Sequence, residues 1–211
     1  MSAVKRKSKS VQARAAYYLE RARDLYIGYP GEAEFEGYDL RKALINVKRA
    51  LMLDPQSYDA LILSGQIAHE LDWSPEGLRK AVEYYDRAIS LHPGRAAAFS
   101  SKGAAFLNKG DFKSAEAPAR KAWLLTLRDP NAEPFDIEDA ACDLSAALAG
   151  QGKWNPACRV LQRALKRLQG DDSDEASTGR ELLAKLLNRT RRRVGPSVAD
   201  DPPKRRLTRV K

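Results

Sequence analysis

Two alanines seven residues apart recur four times along this 211-residue chain, as Ala43 and Ala50, Ala81 and Ala88, Ala115 and Ala122, and Ala157 and Ala164. Seven residues is about two turns of α-helix, so each pair lies on one stripe of one helix, where methyl groups let a neighbouring helix approach closely. Upstream of each pair stands another small residue between larger apolar ones at helical spacing. These are Ala22 between Tyr18 and Leu25, Gly65 between Leu61 and Ala68, Gly103 between Phe99 and Phe106, and Ser145 between Ala141 and Leu148. The repeating unit is therefore a pair of tightly packed antiparallel helices, and Pro55 and Pro93 close the second helix of the first two units.

The spacing is elastic. Successive lead alanines stand 38, 34 and 42 residues apart, and the step from the small residue of the first helix to the lead alanine is 12 in units three and four, 16 in unit two and 21 in unit one. Insertions are expected in the turns of units one and two. The first, Gly28 to Asp39, contains Gly, Pro and the acids Glu32, Glu34 and Glu36, which is loop chemistry. The second centres on Asp72, Trp73, Ser74 and Pro75, where Ser74 can cap a helix that begins with Pro75. Trp73 reads first as a packing plug between helices and second as a binding anchor on a loop. A longer connection around Arg128 to Asn131 separates units three and four, and Pro118 predicts a kink in the second helix of unit three. Thr178 with Glu181 reads as a capping box ahead of Leu182, Leu183, Leu186 and Leu187, a final helix that covers the apolar end of the array.

In this order of small residues and aromatics the chain resembles the tetratricopeptide repeat (TPR) family over roughly Ala15 to Gln169. The resemblance implies an all-α fold, a short right-handed superhelix of antiparallel helix pairs. It would comprise about four units, 15–57, 58–95, 96–129 and 138–169, with a capping helix over 175–189. It also implies a non-enzymatic scaffold or adaptor that holds a peptide or helix of another protein in a concave groove lined by the first helices. Carried over to this sequence, the lining is Asp59, Ile62, Gln66 and His69; Ala97, Ser100, Ala104 and Leu107; and Asp139, Cys142 and Ala146. That lining is small and mostly neutral. The Lys, Arg and Asn clamp with which co-chaperone members of the family grip C-terminal carboxylates is missing at the matching positions, so an apolar-anchored segment is the expected ligand.

The charge is carried at the ends. Of a formal +9, residues 1–10 carry +4 and residues 189–211 carry +7, which leaves the intervening body at −2. Both ends, 1–10 and 190–211, read as basic disordered tails. Their cations, Lys5, Arg6, Lys7 and Lys9 with Arg191, Arg192, Arg193, Lys204, Arg205 and Arg206, could contact phosphates, which makes an RNA- or DNA-associated scaffold the alternative function. The same clusters could instead act as nuclear-import signals or as solubilising ends.

Catalytic chemistry finds no foothold in the residue pattern. His69-Glu70 begins like a zinc-protease helix, but Trp73 stands where the second histidine is required. Gly150, Gln151, Gly152 and Lys153 resemble a phosphate loop only faintly, since Ala147 replaces its first glycine and Trp154 its hydroxyl residue. His92, before Pro93, reads as a helix-end residue. No cofactor, metal or small-molecule substrate is expected. Apolar runs such as Ala60 to Leu63 are too short to span a bilayer, and Cys142 and Cys158 lie in helical segments without a disulfide framework, so a reducing, cytoplasmic setting is the expectation.

Overall fold

A computed structural model describes residues 2–27 and 39–194, with the backbone alone for residues 2–9. Among the described residues there are nine α-helices and no strand. They are α1 Ser2–Ile27, α2 Leu40–Leu53, α3 Tyr58–Leu71, α4 Pro75–Leu91, α5 Ala96–Asn108, α6 Phe112–Arg128, α7 Pro134–Gly150, α8 Trp154–Arg167 and α9 Asp174–Val194. The chain forms two compact units, 1–109 and 110–211. Their boundary falls between α5 and α6, inside the stretch expected as the third repeat.

In the first unit each helix packs on the next, and α3 also touches both α1 and α5. Helices α1, α3 and α5 thus form one layer, and α2 and α4 the other. All four seam alanines of this unit are buried, Ala43, Ala81 and Ala88 completely and Ala50 to 1 % exposure. Between α3 and α4 the approach is so close that a Cβ on Gly65 would stand 2.4 Å from the ring of Tyr85, itself almost wholly buried.

The second unit runs α6, α7, α8 and α9 in sequence, with α7 also against α9. Its seam alanines, Ala115, Ala122, Ala157 and Ala164, are all fully buried. Ala157 and Ala164 share one core cluster with Ile137, Leu144, Leu148, Leu161, Leu168 and Leu183. The last of these comes from α9, which covers α7 and α8 as expected of a terminal helix. At the end of α7, a Cβ on Gly150 would fall 2.2 Å from the Phe112 ring.

Short polar residues define the helix ends. Asp39 accepts from the amides of Arg41 and Lys42, Ser74 Oγ from Gly77 N at 3.2 Å, and Asp111 from Ser114 N at 3.0 Å. Pro75 begins α4, as its place after Ser74 requires. Gly152, at φ +74°, lets Lys153 N donate to Leu148 O and Gly152 N to Ala149 O, a reciprocal pair that closes α7. The glycines of the faint phosphate loop are therefore helix-closing residues.

Several expectations are changed. The backbone of residues 2–10, expected as a tail, continues helix α1. The capping box at Thr178 is not formed: α9 begins four residues earlier, Ser173 Oγ accepts from Ala176 N, and Thr178 Oγ1 donates back to the Asp174 carbonyl. At its other end α9 reaches Val194, so Arg191, Arg192 and Arg193 belong to a folded helix that shares its apolar face with the core. Pro118 does lie inside the second helix of the expected third unit, α6. The acidic insertion at 28–38, and Lys204, Arg205 and Arg206, lie outside the described residues.

Because the seam has no room for extra atoms, Ala88→Leu and Ala164→Leu should each destabilise the fold by about 1–3 kcal/mol. The same change at exposed Ala146 should stay within about 0.5 kcal/mol. Urea unfolding monitored by circular dichroism measures all three.

Candidate functional site

In the first unit, neighbouring helices α3 and α5 carry the residues the repeat pattern assigns to an inner face. Asp59 and Ala97 are exposed, and Ile62, Gln66, Ser100, Ala104 and Leu107 are half-buried. From Asp59 to His69 the face runs about 15 Å along α3. At one end the Asp59 carboxylate pairs with Arg23 at 3.3 Å and Arg95 at 3.6 Å. The Arg95 guanidinium sits 4.0 Å from the centre of the Tyr58 ring, whose hydroxyl accepts from Ala98 N.

The other end is aromatic. Trp73 is 59 % exposed, so it is no packing plug; its ring lies on the His69 imidazole at 4.9 Å. The Lys109 ammonium stands 4.8 Å from the Trp73 ring centre and also donates to the Trp73 carbonyl oxygen. Three contacts from two residues thus hold an exposed tryptophan in place. His69, expected to line the groove, is instead buried beneath it, with Nε2 unpartnered. Burial, with the Lys109 charge added, holds the imidazole below its ordinary pKa against a smaller opposing effect of Glu70, and the ring stays neutral.

The second unit carries the remaining assigned positions on α7, with Asp139 and Ala146 exposed and Cys142 half-buried. One turn beyond Asp139, the Asp143 carboxyl has a buried Oδ2 with no hydrogen-bond partner. Burial and the neighbouring Asp139 push it up to about 7. The Cys142 thiol is pushed up to about 12, by burial first and then by Glu138, Asp139 and Asp143, so it is a poor nucleophile at neutral pH. Both cysteines are free thiols. Elsewhere in the unit Glu116 accepts from Lys153 at 2.6 Å, Arg120 at 2.8 Å and Gln151 at 3.0 Å, contacts that hold its carboxyl down to about 2 and tie the start of α6 to the end of α7.

Among the described residues no group of three or more His, Cys, Asp or Glu is placed to hold a metal ion, and no helix is long and apolar enough to cross a membrane. His92 caps α4 with its ring edge-on to Tyr58. Pattern reasoning missed a cleft of about 510 Å³ in the first unit between α2, the end of α3 and α4. Leu44, Ala68, Leu71 and Tyr84 contribute its apolar lining, and Lys48, Lys80, Arg87, Asp72 and Glu83 its charged groups of both signs. The folded position of Arg23, Arg95 and Lys109 was also invisible, since only the pairing of α3 with its neighbours brings them to the ends of one face.

An unpartnered buried carboxyl makes stability depend on pH in a definite sense. The folded-state pKa of Asp143 lies above the unfolded value, so the folded protein binds the extra proton and stability falls as pH rises from about 4 to about 7. Asp143→Asn should therefore be more stable than the parent at pH 8 by about 1–3 kcal/mol, with the gain vanishing near pH 4. Paired urea titrations across that range give the difference.

No protein-family model matches the chain, and no curated protein does either. Solved structures match with confidence. A crystal structure of MamA is 19% identical over 75% of this chain and 75% of its own, at a TM-score of 0.55. MamA 41-end from Desulfovibrio magneticus RS-1, also 19% identical, aligns over 84% of this chain and 96% of its own at 0.54. YrrB, described as a TPR protein with an unusual peptide-binding site, is 16% identical over 91% of this chain and 87% of its own at 0.53. With its helix pairs, buried small-residue seams and these structural neighbours, the chain has the tetratricopeptide type of helical-repeat fold.

Proposed function

We propose that the protein is a non-enzymatic interaction scaffold that holds a short segment of a partner protein along the α3–α5 face. The observation that carries this reading is Trp73, a large aromatic side chain left exposed yet braced by His69 and Lys109. A side chain already fixed in place loses little entropy on binding, and tryptophan is enriched among residues that dominate binding energy. Beside it, Ile62, Ala104 and Leu107 offer a neutral, partly apolar strip. The face accommodates about four to five residues of an extended segment. An apolar or aromatic anchor would sit against Trp73 and Leu107, and Gln66 and Ser100 are the polar groups beside the path. YrrB, whose description includes peptide binding, is a precedent for such a ligand on this fold. Asp139, Cys142 and Ala146 would form a second accessible strip on α7, acidic where the first is neutral.

The test is affinity purification of the tagged full chain from its host, in parallel with Trp73→Ala and Leu107→Asp. Each substitution should reduce recovery of the bound protein at least about tenfold, the loss of one hot-spot contact, while helical content and melting temperature stay near the parent values. Undiminished recovery in both variants would remove the α3–α5 face as the site.

A further inference from the structure

Charge in the second unit is sorted by helix. From Lys153 to Gln169 there are five Lys or Arg and no carboxylate, and from Ala184 to Val194 there are five more, again with no carboxylate. Two of the ten are neutralised: Lys153 pairs with Glu116 and Lys185 with Glu181. The others include Arg159, Arg163, Lys166 and Arg167 on α8, all exposed. At 100° per residue these four occupy an arc of about 100° on the side opposite Ala157, Leu161, Ala164 and Leu168, which are buried. The core contacts of α8 thus point its cations at solvent.

Helix α9 packs against α8. Burial raises the Cys158 pKa, and the charges of Arg191 and Arg159 both lower it, so the last turn of α9 lies near enough to the start of α8 for both to act on one thiol. Arg191 and Arg192 are exposed. Among the described residues no carboxylate pairs with any of these six cations.

We infer that the outer side of α8 and the last turn of α9 form a binding surface for duplex nucleic acid, held through its phosphate backbone. Five of the six cations are arginines, whose planar fork matches phosphate oxygens in pairs. From Arg159 to Arg167 the row is about 12 Å long, enough to span several phosphates of one strand. Among the described residues of this unit the exposed large apolar ones are Leu124, Phe135 and Leu182. None belongs to α8 or to the last turn of α9, so this surface has neither an insertion anchor for a membrane nor an aromatic anchor for a protein. With no exposed aromatic ring there to stack on bases, contact with a duplex backbone suits it better than contact with single strands. Recognition would be blind to sequence. The expected tail binding is thereby relocated: Arg191, Arg192 and the cations of α8 act from folded helices.

Fluorescence anisotropy of a DNA duplex of about 20 base pairs with the full chain, between about 50 and about 200 mM salt, tests this. With five to six contacts the log–log salt slope should be about −5, and Arg159→Gln/Arg163→Gln/Lys166→Gln/Arg167→Gln should flatten it by about 3 and weaken binding at least tenfold. A second variant, Arg191→Gln/Arg192→Gln, changes only α9 and should weaken binding at least threefold, with circular dichroism confirming both folds. Full binding retained by both, or loss confined to Lys204→Gln/Arg205→Gln/Arg206→Gln, would overturn the proposal. So would failure to bind the duplex at the lowest salt, including the case in which the chain binds vesicles containing phosphatidylserine instead.

Discussion

Everything in this fold depends on how closely helices can approach where their side chains are smallest. Eight alanines at seven-residue intervals are buried at 0–1 % exposure, and at two further points even a methyl group is excluded, Gly65 against Tyr85 and Gly150 against Phe112. Burying an alanine removes little apolar area, so the seams stabilise less by their own transfer energy than by what they permit. Close backbones bring Leu61, Ile67, Leu144, Leu161 and Leu183 into dense contact at the flanks of each seam.

The same packing decides which groups are left for function. Once the seam side of each helix faces its neighbour, the opposite side faces solvent, and its chemistry differs from helix to helix. On α3 and α5 it is small and neutral, bounded by an Arg-paired carboxylate at one end and a braced tryptophan at the other. On α7 it is acidic, and beside it burial first and the Asp139 charge second push the Asp143 carboxyl up to about 7. On α8 it is wholly cationic among the charged residues. A repeat fold lets these faces diverge because each seam constrains only its own stripe.

The fold was legible because its signal is local: paired alanines, Ser74 before Pro75, and Gly152 after α7 each dictate geometry within a few residues. Boundaries were less so. Ser173 and Thr178 both offer a capping hydroxyl, and the contest is decided by Ala176, which is fully buried in the core and keeps the first turn helical. The end of α9 was misread for the opposite reason. A run of arginines looks like a tail until Leu187 is seen to hold the helix against α8, and then the arginines extend it. Sites were harder still. Trp73 could be a plug or an anchor by sequence, and its exposure in the fold removes the first reading. The cationic surface draws on residues more than twenty positions apart, so no window along the chain contains it.

Residue 65 is glycine because Tyr85 occupies the space a side chain would need. A double-mutant cycle in urea with Gly65→Ala, Tyr85→Leu and both together measures it directly. In an unconstrained helix the alanine should stabilise by about 1 kcal/mol. Here it should destabilise, and shortening Tyr85 should recover at least about 1 kcal/mol of the loss in the double variant. Additivity of the two changes within about 0.5 kcal/mol, or a stabilising Gly65→Ala, would contradict the close approach on which the fold is built.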